Sequence, residues 1–194
     1  VDLATDDGET PLHIACIKGH VDCVQLLLGA GASVDLATTD IGATPLYATC
    51  FKGHAECVQL LLGAGASVDL ATTDIGATPL HAACRSGHVE CVQLLLGAGA
   101  SVDFAGTDNR GLNGTTPLYA ACFKNQVECV RLLLGAGASV DLATTDDGTT
   151  PLFVACLKNH AECVRLLLGA GASVDLARTD IGAAPLYATC LGGR

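Results

Sequence analysis

Methionine and tryptophan are missing from this chain, and aromatic residues make up only 4% of it. A core of large rings is excluded. Leu, Ala, Val and Cys must build it instead, small side chains that suit closely packed helices. Positive charge is also scarce, with ten Lys and Arg against twenty Asp and Glu, a formal charge of −10. Nucleic-acid readers draw much of their affinity from basic side chains on phosphates, so neither DNA nor RNA is an expected partner. Anionic membrane surfaces are set aside for the same reason. No apolar run reaches the roughly 18 residues that span a bilayer, because Gly, Asp and Thr interrupt every one.

Cysteine is abundant, and its placement decides how to read it. Eleven thiols are an odd number, and they fall at repeating slots rather than in loops. A disulfide framework does not fit that pattern, so a reducing compartment, cytosol or nucleus, is expected.

The stretch Leu-Leu-Leu-Gly-Ala-Gly-Ala-Ser recurs five times, from Leu26, Leu60, Leu94, Leu132 and Leu166, in steps of 34, 34, 38 and 34 residues. A period in this range marks one supersecondary unit stacked on itself, each copy supplying the core its neighbour lacks. In the copy from Asp40, Thr44-Pro45 opens a short helix: Thr caps, and Pro suits the first helical position. Gly53-His54 breaks it, and a second helix is predicted from about Ala55 to Leu62, with Cys57, Val58, Leu61 and Leu62 on its buried face. Gly63 and Gly65 end that helix. A link rich in turn residues then runs to the next Thr78-Pro79 and projects from the helices as a finger.

Thr10-Pro11-Leu12-His13-Ile14-Ala15 and Thr78-Pro79-Leu80-His81-Ala82-Ala83, with the Gly-His pairs at 19–20, 53–54 and 87–88 and the Leu-Leu…Gly-Ala endings, resemble the ankyrin repeat. The resemblance covers nearly the whole chain. It implies an all-α solenoid of helix-turn-helix units with hairpin-like fingers, about five full repeats and a partial sixth. Their openings are Pro11, Pro45, Pro79, Pro117, Pro151 and Pro185, within one domain over residues 1–194. The first and last units are cut mid-repeat, and the copies are nearly identical. A fragment of a longer array, or a consensus-like assembly, is therefore expected. End-to-end stacking of an otherwise monomeric chain is compatible with such ends.

Departures from the family pattern are informative. The period is one residue longer than the usual ~33, an excess assigned to the finger. The motif histidine, which in the family helps tie neighbouring units, is replaced by Tyr47, Tyr119, Phe153 and Tyr187, putting those ties in question. Asn125 and Asn159 replace the glycine of Gly-His, tolerable because Asn also enters the left-handed region. The link between Asp103 and Pro117 is four residues longer than its equivalents.

No residue set points to catalysis. The cysteines pair seven apart, as 16/23, 50/57, 84/91, 122/129 and 156/163, with Cys190 opening a sixth. Zinc sites space thiols two to four apart, so core packing is the expected role and metal or redox chemistry the alternative. No His has a Glu or second His at zinc spacing, and no phosphate-cradling Gly-Lys-Ser/Thr or nucleophile elbow occurs. No cofactor, metal or catalytic residue is expected.

The first helices' outer edge varies most. Two residues before each turn stand Ile17, Phe51, Arg85, Phe123, Leu157 and Leu191, followed by Lys18, Lys52, Ser86, Lys124 and Lys158. In the ankyrin family these slots lie on the concave, partner-facing side. An exposed apolar and aromatic line edged by lysines is expected there, on an otherwise acidic protein. Arg85, with Arg110 of the long finger and the flanking Phe51 and Phe123, falls mid-array, where binding hot spots concentrate. Gln25, Gln59, Gln93, Arg131 and Arg165 are expected on the solvated convex side. The expected function is a non-catalytic scaffold that holds a protein or peptide on its concave face and finger tips. The alternatives are a structural repeat module without a cognate ligand and a thiol-based metal or redox protein. Resemblance further implies that such domains serve inside larger proteins, as adaptors, channel tails or ubiquitin-ligase receptors.

Overall fold

The computed structural model describes residues 1–107 and 113–185, so Arg110, Tyr187, Cys190 and Leu191 lie outside the described residues. Among the described residues, helices come in five antiparallel pairs: α1 Pro11–Lys18 and α2 Val21–Gly29, α3 Pro45–Lys52 and α4 Ala55–Gly63, α5 Pro79–Ser86 and α6 Val89–Gly97, α7 Pro117–Phe123 and α8 Val127–Gly135, α9 Pro151–Leu157 and α10 Ala161–Gly169. Each first helix begins at a Thr-Pro pair, where the Thr hydroxyl accepts the N–H three residues on, as Thr44 does from Tyr47 at 3.1 Å. Such a cap contributes about 1 kcal/mol.

The first helices end in a residue with positive φ. Gly53 sits at +83°, and the two asparagines take the same region at 59° for Asn125 and 58° for Asn159. The second helices close by the same device, with Gly65 at +86°. The N–H of Ala66 reaches the Leu61 carbonyl and that of Gly65 the Leu62 carbonyl, satisfying the last turn from within.

Odd-numbered helices stack on odd and even on even. The first-helix row packs more closely than the second, because Cys16, Thr49, Cys50, Ala83, Cys84, Ala121 and Cys122 are small and buried where those helices meet. Unequal spacing bends the stack toward the first helices, which therefore line its concave side. Leu12, Leu46, Leu80, Leu118 and Leu152 fill one layer of a continuous core, and Leu61, Leu95, Leu133 and Leu167 another.

Polar ladders tie the fingers together. The N–H of Thr39 donates to Asp7 O, Thr73 to Ile41 O, Thr145 to Asn113 O and Thr179 to Asp147 O, all at 2.8–2.9 Å. The carboxylates of Asp2, Asp35, Asp69, Asp103 and Asp141 accept the backbone N–H of Ser33, Ser67, Ser101, Ser139 and Ser173 one repeat later. The Ser-Val-Asp segment thus serves as repeat-to-repeat glue, a role its reading as a simple link did not contain.

Candidate partner-binding face

The left-handed residue after each first helix fixes where its last turn points, and the residues before it form the edge of the concave side. Phe51 and Phe123 are exposed there, at 45% and 38%, unusual for aromatic side chains in so apolar a protein. Between them runs a groove of about 520 Å³, walled by Tyr47, Phe51, Tyr119 and Phe123 and by Asp74 of a finger, with Arg85 at its centre. A smaller depression of about 260 Å³ adjoins it, bordered by Ile17, Phe51 and Lys52 on the helices and by Asp7, Glu9 and Asp40 on the fingers.

The rings are held in place. Tyr119 stacks on Phe123 with centroids 6.4 Å apart and planes at 16°, the pair lying four residues apart on α7. The Lys52 ammonium lies 5.6 Å from the Phe51 ring centroid. Phe123 carries two, Lys124 at 5.5 Å and Lys158 of the next repeat at 4.8 Å. A cation over an exposed ring contributes about 0.5–1 kcal/mol, enough to bias where these long side chains sit. Burial raises the phenols of Tyr47 and Tyr119 above the ordinary value, and nearby Asp74 and Asp147 push the same way. Both therefore remain hydrogen-bond donors at neutral pH.

The expected line along the concave edge is uneven. Phe51, Phe123, Arg85, Lys18, Lys52, Lys124 and Lys158 are exposed. Ile17 and Leu157 are half-buried, and Leu157 leans on the core. A continuous greasy rim is therefore corrected to two aromatic islands flanking the third repeat. Tyr47 and Tyr119 also line the groove, although they occupy the motif-histidine slot and were not among the expected partner-facing residues. Their spacing of four from Phe51 and Phe123 on one helix face was the available signal.

The histidines act as ties. A backbone N–H only donates, so the bond from Thr10 N to His13 Nδ1 fixes that nitrogen as acceptor and leaves the proton on Nε2. His13 Nε2 then donates to Ala43 O at 3.1 Å, and His81 Nε2 likewise to Thr115 O at 3.0 Å. A second series reaches back: His54 to Ile17 O, His88 to Phe51 O, Gln126 to Arg85 O and His160 to Cys122 O. These tethers hold the ends of the first helices, where the exposed rings and cations stand.

Among the described residues, the thiols of both helices are buried except Cys23. Burial pushes Cys16 and Cys91 up to about 11, whereas hydrogen bonds with Cys84 and Cys122 draw Cys129 and Cys163 down. Among the described residues, no three His, Cys, Asp or Glu gather around a point that would hold a metal, and no helix is long and apolar enough to cross a membrane. Arg131 and Arg165 are exposed on the convex side, paired with Glu128 and Glu162.

Known proteins place this geometry. A family model of three ankyrin repeats matches residues 30–105 and again 103–180, and a single-repeat model matches residues 7–39. The crystal structure of the human ASB11 ankyrin repeat domain superposes with a TM-score of 0.83 at 34% identity, over 100% of this chain and 87% of that one. Two plant proteins share shorter stretches. The probable E3 ubiquitin-protein ligase XBOS32 of Oryza sativa subsp. japonica is 60% identical over 38 residues, and the E3 ubiquitin-protein ligase XBAT32 of Arabidopsis thaliana 53% over 38. Those stretches cover 20% of this chain and 8% of each plant protein.

Proposed function

Because this chain belongs to the ankyrin repeat family, a family of general protein-interaction modules, we propose that it is a non-catalytic scaffold whose concave face holds a polypeptide partner across the third repeat. The observation that carries the proposal is the groove between two exposed aromatic islands, Tyr47 with Phe51 and Tyr119 with Phe123, around Arg85. Aromatic and Arg residues at the centre of a contact are the types that dominate binding energy. The hydrogen-bond ladders stiffen the fingers, and a stiff surface loses little entropy on binding. The reading extends to a reducing compartment, where the free thiols remain a packing element. The activity of the plant relatives is left with them, since the shared 38 residues lie within the repeats.

The test is comparative capture. Immobilised protein and a Phe51→Ala/Phe123→Ala variant are exposed to the same extract, and retained proteins are quantified. A reproducible set retained at least ten times better by the unaltered protein supports the reading, provided both proteins melt within about 2 °C of each other. Equal retention by both, or none by either, removes it.

A further inference from the structure

All four lysines of this acidic chain stand on one row. Net charge is −10, yet Lys18, Lys52, Lys124 and Lys158 each fall at the concave end of a first helix. In the third repeat that slot holds Ser86, and Arg85 beside it supplies the cation. The five side chains are exposed and none forms an ion pair among the described residues. The arginines elsewhere contrast with them. Arg131 and Arg165 pair with glutamates of their own helices, and Arg178 bridges Asp147 and Asp180 at 2.7 Å each.

The carboxylates near the row are differently placed. Asp40 and Asp74 accept the N–H of the following residue, while Asp7 and Glu9 border the smaller depression beside Lys52. The cations of the concave edge thus form no ion pair among the described residues, while Asp40 and Asp74 facing them are already hydrogen-bonded within the fold. Lys52, Lys124 and Lys158 moreover lie over the rings of Phe51 and Phe123, so cation and apolar wall share one location.

Resting on the concave-face reading above, we infer that the partner segment is acidic: it seats a large apolar side chain between the aromatic islands and lays carboxylates along the Lys52–Arg85–Lys124–Lys158 row. Neighbouring helices pack about 10 Å apart, and an extended chain advances about 3.3 Å per residue. A strand crossing the repeats would meet one cation about every three residues. Exposed charges of this kind govern association rate and register, while the apolar anchor governs residence time. A nucleic acid matches the row but has no anchor for the groove, and it meets the overall negative field.

The test is selection from a random library of displayed 12-residue peptides on the protein itself. The expected winners are net acidic, carry at least one Leu or aromatic residue, and bind at least ten-fold weaker to Phe51→Ala/Phe123→Ala. Lys52→Gln/Lys124→Gln weakens them about five-fold or more, whereas Gln59→Glu/Gln93→Glu, an equal change of charge on the convex side, changes affinity less than two-fold. Winners that need Phe51 and Phe123 but are neutral or basic, or ignore the lysine change, overturn the acidic partner and leave the concave-face reading standing. A selection yielding no peptide dependent on Phe51 and Phe123 removes both. A 20-nucleotide single strand that binds as tightly as the winners, and ignores the Phe51/Phe123 change, overturns the inference by making the row a generic anion trap.

Discussion

The first and third repeats keep a histidine at the third residue of their first helix; the second, fourth and fifth replace it. At His13 and His81 the ring is buried, capped by Thr10 or Thr78 on one side and bonded across to the next finger on the other. At Tyr47 and Tyr119 the cap keeps only the bond from the backbone N–H to threonine, and the ring is half-buried and faces the groove. Phe153 takes a third course, buried beneath the Arg178 guanidinium at 5.4 Å from its centroid. One slot thus ties to the neighbouring repeat, lines the groove or fills the core. The groove is centred where the two solutions alternate, with a pinned third repeat between two aromatic walls.

The largest effect that sharpens this contrast comes from deleting the rings. His81→Ala removes the ring's bonds with Thr78 and Thr115 and leaves a void, and should lower the free energy of unfolding by about 2–4 kcal/mol. Tyr119→Ala, at a half-open position without a tie, should cost about 1–2 kcal/mol. Equilibrium urea unfolding of both variants measures the difference. Equal losses would mean the cross-repeat bond adds nothing to the stack.

A pH titration comes next in size. Burial holds the His81 imidazole down to about 4, against an ordinary value near 6.5, although the Thr115 carbonyl and the Asp69 carboxylate pull it upward. His13 is lowered by burial as well. A protonated ring would also place an N–H against the N–H of Thr78, which donates to Nδ1. The unfolded chain therefore binds this proton more readily. Stability is thus insensitive to this ring above about pH 6.5 and falls by about 3 kcal/mol as pH drops toward 4, the cost of charging a buried imidazole. Subtracting the stability profile of His81→Tyr from that of the unaltered protein isolates it. A flat difference between pH 6.5 and 4 would show that the ring is solvated in the native state.

The helical frame was legible because it is written in residues with one physical job. Thr-Pro starts, Gly-His stops and the Leu-Leu-Leu register marked the pair read in detail to within a residue: the second helix expected at Ala55–Leu62 forms as Ala55–Gly63. The buried cysteines followed from the same register. Contacts joining residues about 32–38 positions apart were hidden, because Asp35 to Ser67 or His160 to Cys122 becomes visible only once the repeats are superposed in space. Exposure along the edge of the first helices was hidden for a related reason. Ile17, Phe51 and Leu157 share one slot, and their depth depends on the neighbouring repeat rather than on local sequence.

The smallest effect tests that last point at the central junction. Three tethers to the ends of first helices use histidine, and the fourth uses Gln126, whose Nε2 reaches Arg85 O at 3.4 Å, longer than the 3.2 Å of His88 to Phe51 O. The space is equivalent. A Cβ on Gly87 would fall 2.3 Å from the Gln126 side chain, just as one on Gly53 would fall 2.3 Å from His88, so both side chains fill the gap a glycine leaves. An imidazole has fewer rotatable bonds than glutamine and loses less freedom when pinned. Gln126→His should therefore gain about 0.5 kcal/mol, raising the melting temperature by about 1–2 °C. It should also slow amide exchange at the end of α5, where Arg85 is presented. A destabilised variant would mean that the long finger ahead of α7 sets this junction's geometry, and that glutamine is the residue it accommodates.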